Sequence, residues 1–281
     1  PEGGKNIVSG IGLNTGGYNY RAVGCKWMAG SDSYMNDVKF IGGHGSMARG
    51  TEKPWSRGDR RISTPDEPVV DQGRDKAWDN QYWSLWITNG GGGTFKDIWT
   101  ANTYSANGIY VNNTSTPGRI YAMSIEHHVR NEARFKNVSN WKVYAFQTEE
   151  ESREGLDCLP LDLQNCSNMV FANLYMFRVI RVKTPFPYAV RTWNCKNIEF
   201  LNVHNYSQIK YTNTLTFYDI NTTLDVRPWE FTKLTITGDE KRKEALSNQP
   251  GKLDKLATGF EFIEGITRDS KGNVYFSEQR M

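Results

Sequence analysis

Two glutamates close two copies of one short phrase: YAMSIE at 121–126 ends on Glu126, and YAFQTE at 144–149 ends on Glu149. A shift of 23 residues (149 − 126) superposes them. Two carboxylates brought onto one face suit acid/base work, because like charges at close range let one group keep a proton while the other stays ionised. Glycoside hydrolysis needs that division of labour: an acid protonates the leaving oxygen, and a base or nucleophile acts from the other side of the sugar. Nearby residues complete a candidate sugar site. Gln147, His127 and His204 offer hydrogen bonds, with the Tyr175 hydroxyl beside them, and Phe177 and Tyr206 offer ring faces. His127 and His128 are adjacent, so on a strand they point to opposite faces and cannot chelate one ion together. No metal and no cofactor are expected.

The elements that would hold these residues are readable as a repeat. FKNVSNWKVYAFQTE from Phe135, LQNCSNMVFANLYMF from Leu163 and TWNCKNIEFLNVHNY from Thr192 share Asn-x-x-Asn-apolar followed by a strand. The shifts are 28 and 29 residues (163 − 135 and 192 − 163), a solenoid period too short for a helix pair. Alternating β-branched and aromatic residues specify strands. The expected fold is all-β, a right-handed parallel β-helix with one coil per repeat and equivalent residues stacked in ladders. Met123, Phe146, Leu174 and Val203 should face inward, and Ser124, Gln147, Tyr175 and His204 outward. Ile125, Thr148, Met176 and Asn205 should then face inward, and Glu126, Glu149, Phe177 and Tyr206 outward again.

Other features fit the same architecture. Asn137, Asn165 and Asn194 recur at a turn, where amides can stack and tolerate a left-handed backbone. Sequons at Asn113, Asn137, Asn165, Asn205 and Asn221 read first as turn asparagines. Cys166 and Cys195 read as small buried filler. Gly90 to Gly93 lacks the Lys-Ser/Thr and helix of a phosphate loop and reads as a tight corner. The β-helix is expected over 1–237, with a long excursion at 45–80. A charged linker follows at 238–258, and 259–281 reads as a hairpin around DSKG, the first of a propeller-like domain. The basic run Arg178, Arg181 and Lys183 reads as solvated or ion-paired, since a lyase would want clustered Asp ligands for Ca²⁺ on neighbouring coils.

Composition narrows the partners. The 281 residues can bury a substantial core, and the net charge of +3 comes from 34 basic and 31 acidic residues with no polybasic block, which argues against nucleic acid. No apolar run approaches the roughly 20 residues that cross a bilayer. Aromatic residues make up 13% of the chain, so some rings should reach the surface, where they can stack on sugars. Four cysteines without a CxxC pair make a structural zinc site improbable. A start without Met and an end just after a strand pattern read as a fragment of a longer chain.

The phrases IYAMSIEHH and YAFQTEEES, with MNDVKFIGGHG upstream from Met35, resemble glycoside hydrolase family 55, the exo-acting β-1,3-glucanases, within the pectate-lyase-like superfamily. Glu126 and His127 match the first motif, and Gln147, Thr148 and Glu149 the second. The resemblance spans roughly residues 35–210. It implies a polysaccharide or oligosaccharide substrate, hydrolysis with inversion, Glu149 as general acid, Glu126 holding the water or the sugar, and an extracellular or periplasmic location. The sequence departs from the family in lacking most of the amino-terminal β-helix. It also has Glu150, Glu151 and Ser152 in place of Pro-Tyr after QTE, which adds negative charge where a neutral glucan would bind. FIEGITRDSKGNVYFSE resembles the opening of gluconolactonase-type (senescence-marker-protein) propellers, where Glu264 falls on a metal-binding glutamate whose co-ligands lie beyond Met281. The implied missing parts are an amino-terminal β-helix and the rest of the propeller. A non-catalytic sugar-binding β-helix, an adhesion solenoid and a polysaccharide lyase remain as alternatives.

Overall fold

The computed structural model describes residues 2–15, 21–40, 81–100, 105–128, 130–150, 158–178, 186–207, 213–238, 263–268 and 274–278. Among them are strands and no helix. The strands are β1 (Ile7–Leu13), β2 (Val23–Trp27), β3 (Tyr34–Phe40), β4 (Gln81–Ile87), β5 (Gly93–Thr100), β6 (Ser105–Thr114), β7 (Gly118–Glu126), β8 (Asn131–Val138) and β9 (Trp141–Glu150). They continue as β10 (Leu159–Gln164), β11 (Ser167–Arg178), β12 (Phe186–Trp193), β13 (Lys196–Ser207), β14 (Asn213–Asp219), β15 (Leu224–Val226), β16 (Glu230–Ile236), β17 (Ile263–Arg268) and β18 (Val274–Glu278).

Odd and even strands separate. From β1 to β13 the odd strands pair in order, all parallel, as one sheet, and from β2 to β14 the even strands do the same as a second sheet. Each odd strand and the even strand after it make one coil, so the chain climbs one rung per coil as a parallel β-solenoid. At the last coil the direction reverses: β16 pairs antiparallel with β13, and β15 antiparallel with β14. Asp219, at the end of β14, is buried there and accepts from Thr192 Oγ1 at 2.7 Å and from the Thr222 amide at 2.9 Å. The hairpin expected near the carboxyl end is present as the antiparallel pair β17 and β18 in a second compact unit, Glu244–Met281. The expected excursion at 45–80 and almost all of the 238–258 linker lie outside the described residues.

A left-handed residue recurs at one height of the odd sheet: Gly10, Asp37, Asp97, Ala122, Ala145, Asn173 and Asn202 have φ from 50° to 65°. Each adds one extra outward residue, so simple alternation fails across the bend and resumes after it, as in Phe171 (in), Ala172 and Asn173 (out), Leu174 (in). The inward ladders on either side form the core. Phe95, Ile120, Val143, Phe171 and Phe200 stand before the bend, and Ile98, Met123, Phe146, Leu174 and Val203 after it, all buried. Such side chains contribute about 1.5–3 kcal/mol each on burial, which is what holds the coils together.

The turn between even and odd strands is an amide ladder. Asn137, Asn165 and Asn194 each donate from Nδ2 to Oδ1 of the asparagine one coil below, at 2.8, 3.0 and 2.8 Å, starting from Asn113. All four have φ near 50° (51–56°). A polar groove of about 350 Å³ follows this ladder. Among the sequon asparagines Asn205 differs: it is buried, and it donates to Thr216 Oγ1 at 3.0 Å. Cys166 and Cys195 are interior free thiols, as expected. Gly90–Gly93 forms the expected corner: Trp27 Nε1 donates to the Gly92 carbonyl at 3.0 Å, and a Cβ on Gly91 would lie 2.7 Å from the Trp27 carbonyl oxygen.

Candidate functional site

The register of the odd sheet sets Glu126 opposite Glu149, Glu149 opposite Phe177, and Phe177 opposite Tyr206. Ser124, Gln147, Tyr175 and His204 make the neighbouring outward column. Between the two columns Ile125, Thr148, Met176 and Asn205 point inward and are buried. The glutamates thus stand on one outer face because β7 and β9 are in register and the bend at Ala122 and Ala145 resets both strands alike.

Glu126 is fixed by two donors. Ser124 Oγ, two residues back on the same face, donates to Oε1 at 2.5 Å, and Gln147 Nε2 from the next coil donates to the same oxygen at 3.3 Å. His127 follows in a left-handed conformation (φ 62°), which turns its ring toward Glu149, with Nε2 3.5 Å from Oε1. Its amide donates to the Glu149 carbonyl at 2.9 Å, carrying the inter-coil ladder one residue further. One ligating atom from each of Glu126, His127 and Glu149 lies within 4.8 Å of the others. Two carboxylates and an imidazole at that spacing can hold a cation or relay a proton, and these are the residues through which a metal would be held on this face.

The inner side of the same wall carries ionisable groups, of which Glu132 was not singled out from the sequence. His128 is sealed inside: its Nδ1 meets Glu132 Oε2, its amide donates to Glu132 Oε1 at 3.1 Å, and its Nε2 lies 3.0 Å from Thr100 Oγ1. Burial pushes the Glu132 carboxyl well above the usual range. Glu150 points inward opposite Arg178, and both are fully buried. Burial raises the Glu150 carboxyl too, against the opposing pull of the Arg178 charge. This corrects the expectation that Glu150 adds negative charge at a sugar site, since it lies on the other side of the wall. Arg178 is likewise interior, which corrects the reading of it as solvated. Arg181, Lys183, Glu151 and Ser152 are outside the described residues.

The aromatic residues named from sequence come together. Tyr175, Phe177 and Tyr206 are mutually close to parallel, with ring centroids 6.3, 6.4 and 5.7 Å apart. Tyr175 and Tyr206 are 39% and 48% exposed. His204 is engaged within the protein: Nδ1 lies 3.0 Å from Glu230 Oε1 and Nε2 3.0 Å from Asn202 Oδ1, which takes both ring nitrogens. One further ring went unrecognised. Trp99, 39% exposed, is opposite Ser124 on the coil before Glu126. The column rule applied one coil further back would have found it. Glu264 lies on β17, in the other unit.

No protein family and no curated protein gives a match to this chain. The architecture, two parallel sheets built one coil at a time, is that of a β-solenoid and is consistent with the pectate-lyase-like superfamily of parallel β-helices.

Proposed function

We propose that the protein is a glycoside hydrolase whose reacting groups are Glu149 and Glu126. The observation that carries this reading is the pairing of the two carboxylates, within 4.8 Å at their ligating atoms, on an outer face bordered by exposed aromatic rings. Glu149 gives its proton to the glycosidic oxygen as the C–O bond breaks. Glu126, whose oxygen is already oriented by Ser124 and Gln147, attacks the anomeric carbon. Water then displaces Glu126 and returns its proton to Glu149. Retaining enzymes have carboxyl groups about 5–5.5 Å apart, and inverting ones about 6.5–9.5 Å apart to leave room for a water; with one oxygen of each glutamate within 4.8 Å of the other, retention is the outcome to test against the inversion implied by the family 55 resemblance. His127 Nε2 stands 3.5 Å from Glu149 Oε1.

The resemblance of the IEHH and QTE motifs to β-1,3-glucanases makes a β-glucan the first substrate to test. With laminarin tested first and pectic and rhamnose-containing glycans beside it, reducing-end release from at least one neutral glycan should appear with the full chain and fall roughly 10²–10⁴-fold in Glu149→Gln and in Glu126→Gln. The exposed Tyr175 and Tyr206 rings favour a second reading, a sugar-binding solenoid without turnover. Binding by a wild-type chain that releases nothing from any of these glycans would establish it over hydrolysis.

A further inference from the structure

The two outward columns that hold the carboxylates continue on both sides of them. On the coil before Glu126 stands Trp99; on the coil after Glu149 stand Tyr175 and Phe177, and on the next Tyr206. Lys39, from the coil on the far side of Trp99, lies over the indole at 5.9 Å and braces it from the side away from the carboxylates. The acid/base pair is therefore flanked by aromatic surface in both directions along the solenoid axis. From Trp99 to Tyr175 is three rungs, about 14 Å at roughly 4.8 Å per rung, the length of a short run of sugar rings.

We propose that the substrate is an internal stretch of a neutral pyranose chain lying along the solenoid axis, across the strands, with Trp99 holding a ring on one side of the cleavage point and the Tyr175, Phe177 and Tyr206 group on the other. The C–H faces of pyranose rings are apolar and pack on aromatic carbon, while hydroxyls meet Gln147 and Ser124 between the two platforms. A uronic-acid polymer would set its own carboxylates against Glu126 and Glu149, which selects for an uncharged chain. Platforms on both sides mean that the chain is gripped away from its ends. This departs from the end-acting mode of the family that the motifs resemble, and it rests on the hydrolase reading only for the position of the cut.

The test is affinity electrophoresis of the full chain carrying Glu149→Gln, with laminarin, mixed-linkage β-glucan, xyloglucan and polygalacturonate as probes. At least one neutral polymer should retard the protein and polygalacturonate should not. Trp99→Ala and Tyr175→Ala, each added to that background, should weaken retardation by about three- to tenfold. Both rings are exposed, and unchanged thermal unfolding verifies that the folded coil is what is being measured. The proposal is overturned if Trp99→Ala binds as its parent does while Tyr175→Ala does not, if polygalacturonate is the tightest probe, or if none of the neutral polymers binds. Two-sided binding without turnover by the wild type leaves this inference standing and removes the hydrolase. Turnover with unaltered Trp99→Ala binding does the opposite.

Discussion

His127 and His128 are consecutive, and the wall of the solenoid runs between them. His127 is on the outer face with Nε2 3.5 Å from Glu149, whereas His128 is fully buried against Glu132 and 3.0 Å from the Thr100 hydroxyl. The same pair of residue types, a histidine and a glutamate, thus occurs twice across one strand end. Outside, it is available to a ligand. Inside, it is a sealed cluster that bears on stability.

The inner cluster makes stability depend on pH in a definite direction. Burial raises the Glu132 and Glu150 carboxyls above their unfolded value near ~4.3, so the folded chain holds protons that the unfolded chain releases. Their contribution is complete below that value and is lost as pH rises toward their raised folded values. Glu150→Gln fixes the neutral form at one site. In urea titrations from acid to mildly alkaline pH, the variant should gain on the wild type steadily as pH rises. A constant difference between the two would contradict this.

The left-handed bend offers a stabilising substitution. Ala122 and Ala145 occupy it at φ 52°, where an L-residue other than Gly or Asn is strained by roughly 1–2 kcal/mol. On the two coils above Ala145 the same position is held by Asn173 and Asn202, and Asn202 Nδ2 donates a hydrogen bond to Asn173 Oδ1 at 2.7 Å. Ala145→Asn relieves the strain and extends that ladder by one rung, so the thermal midpoint should rise, with a gain on the order of 1 kcal/mol. Asn165→Ala does the reverse, losing both its ladder bonds and placing alanine at φ 51°, and should cost about 2–3 kcal/mol in denaturant unfolding.

Close carboxylates predict the stereochemistry of the reaction. Proton NMR of the first products should show the anomeric configuration of the substrate retained, because carboxylates this close leave little room for a water between Glu126 and the anomeric carbon. Inverted product would mean that a water acts from a wider opening during turnover, and would restore the assignment implied by the motif resemblance.

Thiol chemistry reports on the intact core. Cys158, Cys166 and Cys195 are buried, and the Cys25 thiol is pushed up to about 11 by burial. Native protein at pH 8 should react with a thiol-directed chromogenic disulfide much more slowly than the denatured chain, which should titrate all four cysteines. Rapid native reaction of more than two thiols would show that a coil around Cys166 or Cys195 opens readily.

The ladder of Met123, Phe146, Leu174 and Val203 was legible because side-chain direction in a strand depends only on parity, and the turn asparagines gave the phase. The bend at Ala122 and Ala145 was not, since alanine carries no mark of a left-handed backbone; only its neighbours Asn173 and Asn202 do. Glu150 was misread because water is the default surrounding of a carboxylate. Parity alone, with Glu149 outside, places it inside. Trp99 is less legible because WITNGGGGTFKDIW carries no copy of the YAxxxE phrase, so its place opposite Ser124 follows only from the strand register.

The stacking of whole coils has a consequence for how such a surface can change. Every rung is bonded only to the rungs beside it, so the distance between Trp99 and Tyr175 is quantised. Gain or loss of one complete coil between them moves it by about 4.8 Å and leaves the other ladders in step. Single substitutions can alter what each platform grips but not the gauge between them. Chain-length preference in this architecture is therefore an integer property, changed by duplication or deletion of a coil rather than by gradual drift.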